Sequence, residues 1–452
     1  MQPKESGKLQ RTLGPWMLWG LGVGYVISGM YFGWNLGLPA GGVGGMGVAV
    51  VLMTLMYVTF IFSYTELAAA IPRAGGAFDY VTRALGVRWG FLAGMAQNIE
   101  FIFAPPAIAL SIGAYFHLLF PNIPVWVFAV AAYLTFTLLN VAGVKAAARF
   151  ELIVTLLAVG ELLLFSGVAL PHFDAMHFSG ELFPNGFSGI WAAIPFAIWF
   201  YLAIEGVANV SEETIHPQKN ILIGFGSAMF TLVVLCALTF VAAIGVGGWE
   251  AVVYPDAEAK AAGIPSDSPL PLALGRIYSE GHVLYRMLVS IGLFGLVASF
   301  HGILLAGGRA TFEFGRIGLA PAWLGNIHPK TGTPANALWF NLGLGLLAVA
   351  TGRTGDIIIL ACFGAVTMYI LSLWALFRLR KDEPHLERPF RVPMFPAIPA
   401  VALLLALVAL AALAYSYPLH ALFFAGILAA AYALFYWFVL KKGLISPPGG
   451  EK

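Results

Sequence analysis

The chain has 452 residues, of which 60% are hydrophobic and 10% charged. A soluble domain carries roughly 25% charged residues, so this composition excludes an ordinary water-soluble fold, and a formal net charge of +2 offers nucleic acid nothing to grip. Cys236 and Cys362 both lie in apolar runs, outside any Cys-x-x-Cys or Cys/His pattern, which leaves a disulfide framework or a metal site unsupported.

A bilayer core about 30 Å thick takes roughly 20 helical residues to cross. Read in order, the apolar stretches predict twelve spans: 15–39, 44–71, 89–117, 124–142, 148–170, 188–210, 221–247, 283–308, 334–351, 355–377, 396–415 and 418–440. The first apolar run, Trp16–Leu38, is too long and glycine-rich for the short core of a signal peptide, so it is expected to remain as span 1. Of the 24 Lys and Arg residues, all but Lys260, Arg276, Arg286 and Arg353 fall in segments on the N-terminal side of the membrane. The positive-inside rule then puts both termini in the cytoplasm of a multi-pass plasma (inner) membrane protein. The largest outer loop, 248–282, is acidic and proline-bearing and is expected to hold a short surface helix.

Two spans read poorly as continuous helices. Span 1 contains Gly20, Gly22, Gly24, Ser28, Gly29, Met30 and Gly33, and each glycine costs a helix about 1 kcal/mol relative to alanine. Span 6 contains Pro195, Trp199, Tyr201, Glu205 and Gly206, with an acid at membrane depth. Small residues also serve close helix packing. These two spans, however, are the first members of two five-span blocks, 15–170 and 188–377. Because five is odd, the second block enters from the opposite side. Paired interrupted helices in an inverted repeat point to a transporter site. The predicted fold is therefore an all-α membrane protein with twelve transmembrane helices: a 5+5 inverted repeat with helices 1 and 6 broken, followed by two C-terminal helices. The tail 1–14, the basic loop 378–395, the final pair 396–440 and the tail 441–452 complete the chain. No HExxH, GxSxG or P-loop is present, and the inner loops are too short for a catalytic domain, which argues against an enzyme or an ATP-driven pump. A channel would not need the paired breaks.

Ionisable side chains within spans are functional candidates by default. Glu100 in span 3 precedes Pro105 and Pro106, whose missing or displaced amides leave nearby carbonyls such as those of Phe101 and Ile102 without partners. An acid beside free carbonyls suits an ammonium group. Glu205, in the predicted break, suits either the substrate amine or a coupling proton. Glu161 is the third deep acid; Glu66 and Glu151 lie nearer the inner ends. Trp199, Tyr201 and Phe101 can offer a ring to a cation, and the bland alternative is core packing. Ser299 and His301 in span 8 are candidates for a sodium ligand and a proton relay. Glu212 and Glu213, with Arg73 or Lys145, form a candidate inner-gate charge network.

The run Ser28-Gly29-Met30-Tyr31-Phe32-Gly33-Trp34-Asn35, the stretch from Thr65-Glu66-Leu67 to Gly75-Gly76, and Glu205 through Ser211-Glu212-Glu213 to Pro217 resemble the amino acid–polyamine–organocation superfamily. Val26-Ile27-Ser28-Gly29, with Glu100-Phe101-Ile102-Phe103-Ala104-Pro105-Pro106, is similar more narrowly to its ethanolamine permease branch. The resemblance implies alternating access and a site between spans 1, 3, 6 and 8. It further implies that an aromatic at Trp199 covers the substrate. Two departures stand out: that branch usually carries an acid where this chain has Met30, and some proton-coupled relatives carry a lysine near the position of Ala158. The expected partners are a small amine or an amino acid and membrane lipid, with no nucleic acid and no cofactor. The expected coupling ion is H+, with Na+ second.

Overall fold

In the computed structural model, residues 11–73, 75–142, 147–179 and 182–440 are described. The helices follow the apolar runs. α1 (Pro15–Val26) and the single turn α2 (Ser28–Tyr31) make the first span, and a 3-10 turn at Trp34–Gly37 leads into α3 (Leu38–Ala70). Gly42, with φ 64°, kinks α3 where spans 1 and 2 were expected to meet. A glycine tolerates this left-handed backbone without the Cβ penalty. α4 (Ala77–Leu85), α5 (Val87–Leu119), α6 (Val125–Ala142) and α7 (Ala147–Ala169) follow. The second half comprises α8 (Gly186–Trp199), a 3-10 segment Ile204–Glu213, α9 (Pro217–Gly247), the short helices α10 (Trp249–Val253), α11 (Ala257–Ala262) and α12 (Pro269–Leu274), then α13 (Val283–Arg316), α14 (Ala335–Val349) and α15 (Thr354–Asp382). α16 (Ala397–Ser416) and α17 (Pro418–Phe435) end the chain.

Among the described residues, 10 helices are long and apolar enough to cross a membrane. The stretches expected as spans 1 and 9 form shorter helices. α1 has 12 residues because the break ends it, and α14 has 15, about 22 Å at 1.5 Å per residue. Both interruptions fall where the glycines and the acid placed them. α1 stops at Val26; after α2, Phe32 turns extended and Gly33 takes φ 89°. α8 stops at Trp199, and Ala203 takes φ 75° before the 3-10 segment begins.

The core is a packed bundle in which α5 lies against α13 and α15. α1 packs on α9 and α7, while α8 packs on α3 and α15; α6 and α14 meet on the outside of α5 and α13. One face of the bundle gathers basic residues: Arg83 pairs with Glu383, Arg309 with Glu213, and Arg380 and Arg388 with the buried Glu66. This is called the basic face below, and the face bearing residues 248–282 the loop face.

The loop 248–282 differs from expectation. It holds three short helices, and only α11 is exposed. Ala251, Val252 and Val253 of α10 and Leu270, Ala273 and Leu274 of α12 are buried against the bundle. Their apolar side chains dock because the helix ends beneath offer polar anchors. Asn35 donates to Val252 O (3.3 Å) and Ser266 O (2.8 Å), Ser111 donates to Asp267 O (2.8 Å), and Thr354 donates to the Asp267 carboxyl (2.7 Å). One short segment thus ties span 1, α5 and α15 together across the loop face.

Burial pushes the Asp267 carboxyl up to about 6, and the Thr354 bond only partly offsets this. The folded chain therefore holds this proton more tightly than the unfolded chain does. Its contribution is intact below the ordinary carboxylate range and is lost as pH rises from about 4 to about 6. Thermal unfolding in detergent should show a fall in stability across that window. In Asp267→Asn, which keeps the acceptor for Thr354, that fall should disappear, leaving the variant up to about 3 kcal/mol more stable than wild type at pH 7. An unchanged pH profile in the variant would show that the window belongs to another group.

Candidate functional site

Glu100 sits midway along α5, which continues unbroken through Pro105 and Pro106. Those two rings remove two amide donors, so the carbonyls four residues earlier, of Phe101 and Ile102, lose their ladder partners. α15 approaches closely here because residue 364 is glycine: a Cβ there would lie 2.9 Å from Glu100 N. Glu205 enters the same spot from the 3-10 segment after the break in span 6. Both side chains are fully buried, and the two carboxyls are close enough to feel each other's charge. Tyr369 donates to Glu205 Oε2 (2.9 Å), and Tyr57 lies 3.1 Å from the Tyr369 hydroxyl. Both Glu100 oxygens and Glu205 Oε1 have no N–H or O–H donor. Among the described residues, this is a buried, under-satisfied acidic cluster at the centre of the bundle.

The candidate aromatics each have particular partners. Trp199 meets Phe32 edge to face, with ring centroids 5.4 Å apart, and Trp34 stacks on Phe200 at 5.9 Å. Tyr201 bonds Thr54 (2.7 Å) and leans on the Tyr57 ring. Phe101 packs near Gly307 and Gly206. Ser28, Gly29 and Met30 are buried in the turn α2. Ser28 N donates to Ser299 Oγ (2.8 Å), and Ser299 in turn donates to Gly24 O (2.6 Å), so one hydroxyl bridges the break in span 1. Met30 supplies its carbonyl to Trp34 Nε1 (3.1 Å).

Other candidates lie apart from the carboxyl pair. His301 contacts Glu151 rather than either central acid, and Glu161 accepts from Tyr31 (2.6 Å), bracing α2 from α7. Glu213 pairs with Arg309 at 2.8 Å on the basic face. Glu212 lies in the same segment, and Lys145 falls outside the described residues. Sequence reasoning missed Tyr57, Tyr369 and Arg309. Tyrosines are abundant in this chain, and none of the three lies beside a break, so no local signal marked them.

The two breaks lock together. A Cβ on Gly29 would lie 2.4 Å from Trp199 O, and one on Gly33 would lie 2.4 Å from the Trp199 ring. Toward the loop face, Trp199 lies against Phe32 and Gly33. On the basic face, Arg309 pairs with Glu213 and Gln97 contacts Asn209 (3.5 Å).

A family model described as amino acid permease matches residues 13–441. The chain is 27% identical to the branched-chain amino acid permease BcaP of Bacillus subtilis (strain 168), over 86% of this chain and 85% of that one. It is 26% identical to the methylthioribose transporter of the same organism, over 87% and 86%. It is also 25% identical to the low-affinity putrescine importer PlaP of Escherichia coli (strain K12), over 64% and 63%.

The interlock makes Gly29 intolerant of any side chain, because the atom it would strike is backbone. Gly29→Ala should destabilise the protein by about 1–3 kcal/mol, the usual cost of overpacking, and should reduce substrate binding with it. Gly47→Ala, where a Cβ meets nothing within 4 Å, is the matched control and should be silent. Equal melting temperatures and binding for the two variants would refute the interlock.

Proposed function

The chain belongs to the amino acid permease family, within the amino acid–polyamine–organocation superfamily, and is a transporter rather than an enzyme; from that premise we propose that it imports a small protonated amine, ethanolamine-like or a short alkylamine, by proton-coupled alternating access. The observation that carries this reading is the buried Glu100–Glu205 pair. An ammonium group leaving water needs a counter-charge or several oxygen acceptors. The pair supplies one negative charge, and the carbonyls before Pro105 and Pro106 supply further acceptors. Met30, buried in the turn where an acid would favour a more polar substrate, lends a flexible apolar wall. That favours a substrate less polar than ethanolamine. Among the relatives, the putrescine importer is named for an amine and the branched-chain permease for amino acids. A neutral or cationic amino acid is therefore the second reading.

Alternating access rests on an inverted relation between spans 1–5 and 6–10. The packing supports it: α1 on α9 is matched by α8 on α3, α5 on α15 by α13 on α7, and α5 on α6 by α13 on α14. Each pair turns into the other when every span is exchanged for the one five places on. The positive-inside bias orients the basic face, and with it both termini, toward the cytoplasm. A proton is favoured over sodium as the coupling ion. The Ser299 hydroxyl, the expected sodium ligand, already bridges Ser28 N and Gly24 O.

Thermal-shift binding to purified protein across alkylamines, ethanolamine and alanine tests the substrate. A ligand at 100 times its Kd adds about 2.7 kcal/mol to stability. Short alkylamines should stabilise the wild type most. Glu100→Gln should weaken them at least tenfold, and Met30→Glu should shift preference toward ethanolamine. Uptake into proteoliposomes should depend on pH, and Glu205→Gln should remove that dependence or abolish transport. Full amine affinity in Glu100→Gln, or stabilisation by alanine alone, would overturn the amine reading.

A further inference from the structure

Away from the central acids, a groove of about 490 Å³ opens on the outside of the bundle, in its loop-face half. It is lined by Gly47, Val48 and Val51 of α3, by Phe178 and Leu182 ahead of α8, and by Phe240 of α9. A Cβ on Gly47 would meet nothing within 4 Å, so this glycine leaves the groove clear. The kink at Gly42 frees the amides of Gly44 and Gly45, and both donate to Leu182 O (2.9 and 3.2 Å). The polar backbone along this seam is thereby satisfied, and the side chains that line the groove are apolar.

Water does not suit such a groove. A buried water needs two to four polar partners, whereas an apolar cavity of about 150 Å³ stays dry and takes up benzene. What adjoins the groove is bilayer: α3 lies within the membrane-length stretch Trp34–Ala70, and Val48, Val51 and Leu55 of α3 are exposed, as are Val234 and Val241 of α9. A cation stands at the upper end. Gly247 follows Phe240 by about two turns, so it lies on the same face of α9, about 10 Å nearer the loop face. Arg276 packs there: a Cβ on Gly247 would lie 3.2 Å from Arg276 Cγ. His177, next to Phe178, is fixed at the same helix end by its Nδ1 contact with Gly245 O (2.7 Å). Of the basic residues expected on the loop face, Lys260 pairs with Glu250, Arg353 pairs with Asp356, and Arg286 donates to Glu280 O. Among the described residues, Arg276 has no side-chain partner, and it is exposed.

We propose that this groove binds one anionic phospholipid of the loop-face leaflet, with an acyl chain along Gly47 and Phe240 and the phosphate at Arg276. The two ends together select an amphiphile. The groove takes alkyl and nothing polar, while a guanidinium offers a phosphate two parallel N–H donors. The bound chain braces the interlocked breaks from the membrane side. Phe240 meets Trp34 edge to face at 5.8 Å, and Trp34 stacks on Phe200 at 5.9 Å and donates to Met30 O (3.1 Å). A chain against Phe240 therefore supports the ring that holds both broken spans, without entering the central acidic cluster. The site is independent of which substrate is carried and of what drives it.

Photolabelling reads the site directly. The full chain is placed in phosphatidylcholine nanodiscs doped with phosphatidylglycerol that carries a diazirine on its acyl chain. Labels should concentrate on α3 between residues 43 and 52 and on Phe178, Leu182 and Phe240, above the level of other lipid-facing positions. Gly47→Leu fills the groove from a position with room for a side chain, so it should fold and lose these labels. Val51→Trp, at an exposed position on the groove, carries the test if Gly47→Leu does not fold. Arg276→Gln should lower labelling by phosphatidylglycerol about tenfold, as for one lost hydrogen bond to a charged group, to the level of phosphatidylcholine bearing the same diazirine. In detergent, added phosphatidylglycerol should raise the Tm of the wild type and leave that of Gly47→Leu where it was. Labels spread evenly over the lipid-facing helices, labels undiminished in both groove variants, or equal labelling of the wild type by the two lipids would overturn the inference. So would a dimer in native mass spectrometry whose groove is labelled only after dissociation, which would give the groove to a second copy of the chain.

Discussion

Two lengths of unbonded backbone, held against each other inside a bundle that lipid surrounds, are what the rest of this protein depends on. Lipid offers no hydrogen bonds, so a helix may break at membrane depth only where protein replaces the missing partners. Here the replacement is mutual. The turn Ser28–Tyr31 is pinned by Ser299, Tyr115 and Glu161 through Tyr31, while the stop at Trp199 lies against Gly29. Each break is tolerable because the other fills its space. The same contact delivers Glu205 from a non-helical segment onto Glu100 in a continuous helix.

That construction sets three kinds of contact apart. The acids Glu100 and Glu205 lie buried at the centre. On the loop face Trp199 meets Phe32 edge to face, and Asn35 anchors the docked loop 248–282. On the other face the contacts are ionic, between Arg309 and Glu213, and α1 rests on Glu151, which pairs with His301.

Much of this was legible before any coordinates. The run of apolar helices, the two breaks and the burial of Glu100 and Glu205 follow from hydropathy, glycine and proline placement, and the rarity of charge in lipid. The docked loop was not legible. Pro255, Pro265, Pro269 and Pro271 read as punctuation, whereas α10 and α12 bury apolar faces on anchors supplied by Asn35, Ser111 and Thr354, all remote in sequence. The partners of the acids were not legible either. Glu151 looked like an acid near a helix end and His301 like a solitary histidine, yet 150 residues apart they are one pair.

The sequence by itself determined that the chain lives in a membrane, that it crosses many times, and where two helices cannot continue. These are local properties: the cost of a charge in lipid, of a glycine in a helix and of a proline's missing amide act on each segment wherever it packs. Only the tertiary structure decided which acid meets which. A contact between α5 and the 3-10 segment, or between α7 and α13, depends on how whole helices cross, and no residue's neighbours in the chain encode it. Gly24 and Gly29 show the division most directly. In the sequence they read as weak points in a helix, and in the fold they are the places where a backbone had to come within reach of a carboxyl or of another backbone.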